Sequence, residues 1–234
     1  MRILAFETSA KAASVALLEQ GKLLGESYQN TGLTHSQTLM SMAEALLDAC
    51  GKTPQQVDAV AVAAGPGSFT GVRIGVAAAK GFAWGKELPC YGVSTLEAMA
   101  VNLGVWSGYV VPTMDARRSQ TYTAIFHAEQ GQLTRMCDDC AISFAELGNL
   151  LKIYKEPIFL VGDGAVLCYN TLVDTVPGLI LPPEHRLHQR AAGVALVAQQ
   201  QMDAGQRGDA AALVPNYLRL SQAERERENR EKGV

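Results

Sequence analysis

The chain has no apolar run near the roughly 20 residues that a spanning helix needs, which excludes a helical membrane protein. Its opening, Met1-Arg2-Ile3-Leu4-Ala5-Phe6-Glu7, meets a carboxylate too soon for a signal peptide, so a cytoplasmic protein without membrane contact is expected. An excess of one charge is also lacking: 20 Lys and Arg against 23 Asp and Glu give a net charge of −3. Strong unaided binding to nucleic acid is therefore not expected; nucleic acid stays open as a substrate where a partner supplies positive charge. Five scattered cysteines, an odd number, exclude a disulfide framework. Cys137-Asp-Asp-Cys140 is the one close pair, and a lone C-x-x-C is a weak zinc signal. Cys50, Cys90 and Cys168 sit in apolar stretches and read as core thiols, and His185-x-x-His188 lacks a third ligand.

What is present starts with Gly65-Pro66-Gly67-Ser68-Phe69-Thr70-Gly71. The apolar run Val60 to Ala64 precedes it and a helix-like run, Val72 to Trp84, follows. Glycines and hydroxyls thus stand where a buried strand turns into a helix. Free N–H groups at a helix start favour an anion, while a tight turn without ligand needs the same residues. No Lys-Ser/Thr follows the last glycine, so this is no P-loop, nor is the spacing that of a dinucleotide fingerprint.

Alternation predicts strands over Ile3–Thr8, Ser14–Glu19 and Lys22–Gln29, a helix over Ser36–Cys50 and a strand over Val57–Ala64. After the glycine loop and its helix come a strand, Leu88–Val93, and a helix capped by Ser94 and ending near Leu103. Gly104 to Gly108 reads as a boundary. Strands then recur over Tyr109–Met114, Gln120–Ala128 and Gln132–Met136. Helix Phe144–Leu151, strand Pro157–Val161 and helix Ala165–Val173 complete a second copy of the order. A helix over Ala191–Met202 and a charged tail, Glu224–Lys232, with i,i+4 pairs Glu226–Arg230 and Glu228–Lys232, close the chain. Two lobes are expected, 1–105 and 106–234, with the helix 191–202 packing back on the first.

Two helices are unusually apolar. In Ser36–Cys50 the polar stripe is only Gln37, Ser41, Glu44 and Asp48; from Val72 to Gly85 the only charges are Arg73 and Lys80. A surface helix normally has one apolar stripe, so burial between sheet and second lobe, or a protein–protein face, are both open.

Three strands, helix, strand, glycine loop and helix, repeated, resembles the plan of the actin/Hsp70/sugar-kinase superfamily: α/β, ribonuclease H-like duplicated lobes with mixed sheets. Glu7-Thr8-Ser9 resembles its first phosphate loop. More narrowly the chain resembles the bacterial TsaB (YeaZ) family. The matching strings are Ile3-Leu-Ala-Phe-Glu-Thr-Ser, Thr34-His35-Ser36, Gly65-Pro-Gly-Ser-Phe-Thr-Gly-Val-Arg-Ile-Gly, Tyr91-Gly-Val-Ser-Thr-Leu-Glu-Ala, Asp115-Ala-Arg-Arg, Gly162-Asp-Gly-Ala and Pro215-Asn-Tyr-Leu-Arg. The resemblance implies a part in making N6-threonylcarbamoyladenosine at position 37 of tRNAs that read codons starting with A. It implies pairing with a catalytic paralogue, TsaD, a small ATPase, TsaE, contact with tRNA only through the complex, and a homodimer when alone. TsaD-like chains bind a metal through H-x-x-x-H, which falls here on Thr95 and Met99; the third ligand region reads Gln189-Arg190-Ala191-Ala192. A hydroxyl and a thioether do not replace two imidazoles. The expectation is therefore a non-catalytic scaffold or activator with no metal and no cofactor, residual or complex-dependent nucleotide binding staying open. The alternative is a kinase or ATPase of the superfamily, with Glu7, Asp115 and Gly162-Asp163-Gly164 as its remnants; a metallopeptidase lacks any ligand set. Partner contact is expected through His35, Leu39, Met42 and Leu46 of the first helix and Arg73, Ala77, Lys80, Gly81 and Trp84 of the second. Gly65, Gly67, Ser68, Thr70 and Gly71 form the structural glycine loop.

Overall fold

The structure, a computed structural model, describes residues 1–219; the tail pairs Glu226–Arg230 and Glu228–Lys232 lie outside the described residues. The first lobe is one sheet of five strands: β1 (Arg2–Glu7), β2 (Ala13–Glu19), β3 (Lys22–Gln29), β4 (Ala59–Gly65) and β5 (Cys90–Ser94), in the order β3-β2-β1-β4-β5. The hairpins β1–β2 and β2–β3 are antiparallel, whereas β4 lies parallel to β1 and β5 parallel to β4. Strand alternation sends Leu4 and Phe6 to one face and Ile3 and Ala5 to the other. The first set packs with α1 (His35–Ala49) and α2 (Phe69–Trp84), the second with α3 (Thr95–Leu103) and α6 (Ala191–Asp203). So the last helix, although it follows the second lobe, belongs to the core of the first.

The second sheet joins β6 (Gly108–Asp115), β7 (Gln120–Thr123), β10 (Cys140–Ser143), β11 (Ile158–Val161) and β12 (Leu179–Ile180) in the order β10-β7-β6-β11-β12. Two further strands, β8 (Phe126–Glu129) and β9 (Gln132–Arg135), extend it, and α4 (Phe144–Leu151) and α5 (Ala165–Leu172) cover one face. The expected single strand over Gln120–Ala128 is interrupted at Ala124-Ile125. Thr113 pairs with Thr123 and Val110 with Phe126 in one register, which sets Pro112 opposite Ala124. Proline has no N–H for the ladder, so the pairing breaks there and resumes beyond it.

A polar cluster ties the two lobes together. Ser94 caps α3 and donates to Asp139 (2.6 Å), and Arg135 bonds Asp139 (2.7 Å) and Glu97 (2.8 Å) while lying over Phe126. Glu26 of β3 takes the N-terminus of α6 through Ala192 N (3.1 Å) and pairs with Arg190 (2.8 Å).

Candidate docking face and interlobe cleft

The glycine loop is shaped by its neighbours within the chain. Gly65 has φ +116° and precedes a cis peptide bond to Pro66. A Cβ at Gly65 would strike Asn216 O, at Gly67 Ser9 O, and at Gly71 Thr8 O. The loop thus lies directly on Thr8-Ser9, with Ser68 N donating to Ser9 O (2.6 Å) and Thr8 Oγ1 to Gly71 O (2.8 Å). Ser68 caps α2 by accepting from Gly71 N (3.3 Å), and Thr70 stands exposed in the first turn. The second lobe repeats this arrangement. Gly162 ends β11 at φ +112°, its missing Cβ leaves room for Thr113 O, and Gly164 N donates to that same oxygen (3.0 Å).

A cleft of about 630 Å³ opens between the lobes, lined by Ser9, Lys11, Gly67, Asp115, Asp163 and the segment Asn216–Arg219, among others. Asp115 holds its own turn, accepting from Arg117 N (2.7 Å). Asp163 takes the amide of Gln189 (2.7 Å), and its location in the cleft floor pushes its carboxyl upward. The side chain still reaches solvent, which weakens that push. Glu7 is different: it is fully buried beneath the cleft. Ser9 N donates to its Oε1 (2.6 Å), while Oε2 has no partner among the described residues. Burial raises its carboxyl to about 7, against the pull of the Ser9 bonds and with help from Asp163.

A raised acid binds its proton in the fold at a pH where the unfolded chain has lost it, so the stability cost of Glu7 develops between about 4.5 and 7. Below that window both states are protonated and Glu7 is neutral in effect; above it the full cost stands. Relative to wild type, Glu7→Gln is therefore expected to gain about 3 kcal/mol between pH 4 and pH 8. Melting curves of both proteins at the two pH values measure it; an equal difference at both would show that Glu7 does not titrate in this window.

The predicted contact residues divide. On α2, Thr70, Arg73, Ala77, Gly81 and Trp84 form one exposed line at helical spacing, and Trp84 is 79% exposed. Lys80 is half-buried and donates to the carbonyls of Ala211 (3.3 Å) and Leu213 (3.0 Å). On α1 the expectation needs correction. Leu39, Met42 and Leu46 are buried with Ala43 and Leu47 in the core shared with β2, β4 and α2, so they offer nothing to a partner. The outer face of α1 carries Gln37, Met40, Ser41, Glu44, Ala45 and Asp48 instead. His35 bonds Ala10 O through Nε2 (2.8 Å) and is half-buried.

Thr95 and Met99, the hydroxyl and thioether that the sequence sets in place of a metal-binding pair, are buried, and Met99 Sδ fills the space where Gly162 has no side chain. Cys137 Sγ accepts from Ile125 N (3.2 Å) and Cys140 Sγ donates to Thr123 O (3.5 Å), so both thiols are used in the second sheet. Burial first, then the neighbouring Cys137, raises the Cys140 thiol. Among the described residues no group of three or more His, Cys, Asp or Glu is placed to hold a metal, and no helix is long and apolar enough to cross a membrane. The segment Pro215–Arg219, noted in the sequence only as a motif, turns out to form part of both the cleft and the glycine-loop packing.

Comparison with known proteins places this architecture. Residues 29–227 match the family described as TsaD: tRNA N6-adenosine threonylcarbamoyltransferase. The tRNA threonylcarbamoyladenosine biosynthesis protein TsaB of Bacillus subtilis is 33% identical over 226 residues, 96% of each chain. The TsaB protein of Escherichia coli is 39% identical over 134 residues, 56% of this chain and 57% of that one. The solved structure of YeaZ from Pseudomonas aeruginosa superposes with a TM-score of 0.75 at 27% identity, covering 93% of this chain and 99% of that one. With a full-length relative at this identity and the same two-lobed fold in a solved structure, the chain belongs to the TsaB (YeaZ) family.

Proposed function

We propose that this chain is a non-catalytic scaffold or activator that pairs with a TsaD-like threonylcarbamoyl transferase. The pair forms N6-threonylcarbamoyladenosine at position 37 of tRNAs reading codons that start with A. The observation that carries the reading is the exposed line on α2: small residues at Ala77 and Gly81, with Arg73 near one end and the exposed Trp84 at the other. Small residues allow a partner helix close approach, and an exposed aromatic and an arginine on the same helix line are residue types enriched in contact surfaces. Family membership supports the pathway, and the hydroxyl and thioether at Thr95 and Met99 support an accessory part over a catalytic one. A TsaE-like ATPase joins the pair, tRNA is reached only through the complex, and the lone chain pairs with itself through the same face. Co-expression with the transferase paralogue of the same cell should give one complex on size exclusion. Modified tRNA should require both chains. Product from this chain alone, or two separate peaks, would overturn the proposal. A second reading, a nucleotide-dependent enzyme, draws on Asp115 and Asp163 in the cleft. Equilibrium dialysis with ATP and Mg²⁺ decides it: tight binding by the lone chain would favour the enzyme.

A further inference from the structure

After α6 the chain runs back over the first lobe as a strap. Lys80 holds the strap at the carbonyls of Ala211 and Leu213, and Asn216 N donates to Ala64 O (2.6 Å) at the end of β4. Tyr217 stacks on Phe69 with ring centres 4.4 Å apart and planes 24° apart. Arg73 lies over the Phe69 ring, its guanidinium carbon 3.9 Å from the ring centre, and its Nε donates to Tyr217 Oη (2.7 Å). Beyond Tyr217 the strap crosses the cleft, where Arg219 bonds Ala116 O of the second lobe.

Arg73 therefore has two sides. Its Nε is spent on the strap, whereas Nη1 and Nη2 have no partner among the described residues, and the residue is exposed on the α2 line. The aromatic ring beneath and the Tyr217 hydroxyl fix the plane of the guanidinium. A guanidinium whose plane is already set, with its outer edge free, is suited to a bidentate carboxylate. Thr70, Ala77 and Gly81 leave low ground around it for a helix backbone.

Resting on the pairing reading above, we propose that Arg73 is the specificity point of the docking face. It receives a carboxylate from a partner helix, and because the same guanidinium holds Tyr217, docking also fixes the strap across the cleft. Binding and strap order are then two readings of one coupling, and each must strengthen the other. Calorimetric titration with the transferase paralogue tests the first half. Arg73→Ala should weaken binding about 100-fold, and Arg73→Lys, a point charge without the fork, should recover little of it. Tyr217→Phe keeps the ring and loses the hydroxyl; it should weaken binding several-fold although Tyr217 need not touch the partner. Hydrogen exchange tests the second half: amides of 208–219 should slow in the wild-type complex. Binding by Arg73→Ala within threefold of wild type, or strap exchange unchanged on binding, would overturn the proposal. Wild-type chain that fails to bind at all would instead remove the pairing reading on which it stands.

Discussion

Ala77→Glu is expected to abolish pairing with the transferase paralogue while leaving the melting temperature of the lone chain unchanged. Ala77 is exposed on α2, one turn beyond Arg73 and one turn before Gly81. In the free chain the new carboxylate points to water, and an Ala-to-Glu change at an exposed helix site stays within about 0.5 kcal/mol. In the pairing proposed above it would be trapped against a partner helix. An unpaired buried charge costs about 3–5 kcal/mol, or about two to three decades in affinity and somewhat more at the upper end. Arg73 lies four residues back and can take the new carboxylate, which lowers the charge cost but also occupies the guanidinium that a partner would need. Either route breaks the contact. Ala77→Gln, of similar size and no charge, separates bulk from charge: it should lose much less. A lowered melt with retained pairing would place Ala77 in the core and the docking face elsewhere.

How much of this was legible depended on local period. The strand Val60–Ala64, the glycine loop and α2 announce themselves because an apolar run, turn residues and a helix pattern follow in immediate order. The repeat of that order made the duplicated lobes readable, and the matching left-handed glycines, Gly65 and Gly162, show that the repeat extends to the loops. Three features escaped. The break at Ala124-Ile125 is caused by Pro112, twelve residues earlier, and becomes visible only once the register is known. The short strand Cys140–Ser143 is half-buried throughout and shows no alternation. The strap has no period at all; its order comes from partners more than a hundred residues away, such as Arg73 for Tyr217 and Ala116 for Arg219. For the candidate site this means that the α2 line was readable and its basic residues were not. Arg73 and Lys80 look like rim charges in the sequence, yet each holds part of the strap.

Helix α1 gives the sharpest test of core against surface. Leu39, Met42 and Leu46 fall at spacings of three and four, the inward stripe of an ordinary amphipathic helix. A sequence apolar on several sides cannot say which apolar side meets the sheet. Here the sheet takes this one, and α1 shows water its serines, Glu44 and Asp48 together with Met40 and two small alanines, Ala45 and Ala49. Leu39 is 2% exposed in the cluster that includes Leu17, Met42, Val60 and Val76. Leu39→Ala should therefore cost about 2–5 kcal/mol of folding stability, the transfer of the lost methyl groups plus the cavity left in a rigid core. At this chain length each kcal/mol moves the melting temperature by about 2–4 °C, so a drop on the order of 10 °C is expected. Pairing of the folded fraction with the transferase paralogue, measured well below the melt, should stay within a few-fold of wild type. The pattern is thus the reverse of Ala77→Glu: lost melt with retained pairing at Leu39, retained melt with lost pairing at Ala77. Leu39→Ala that melts like wild type and fails to pair would return that stripe to the docking face.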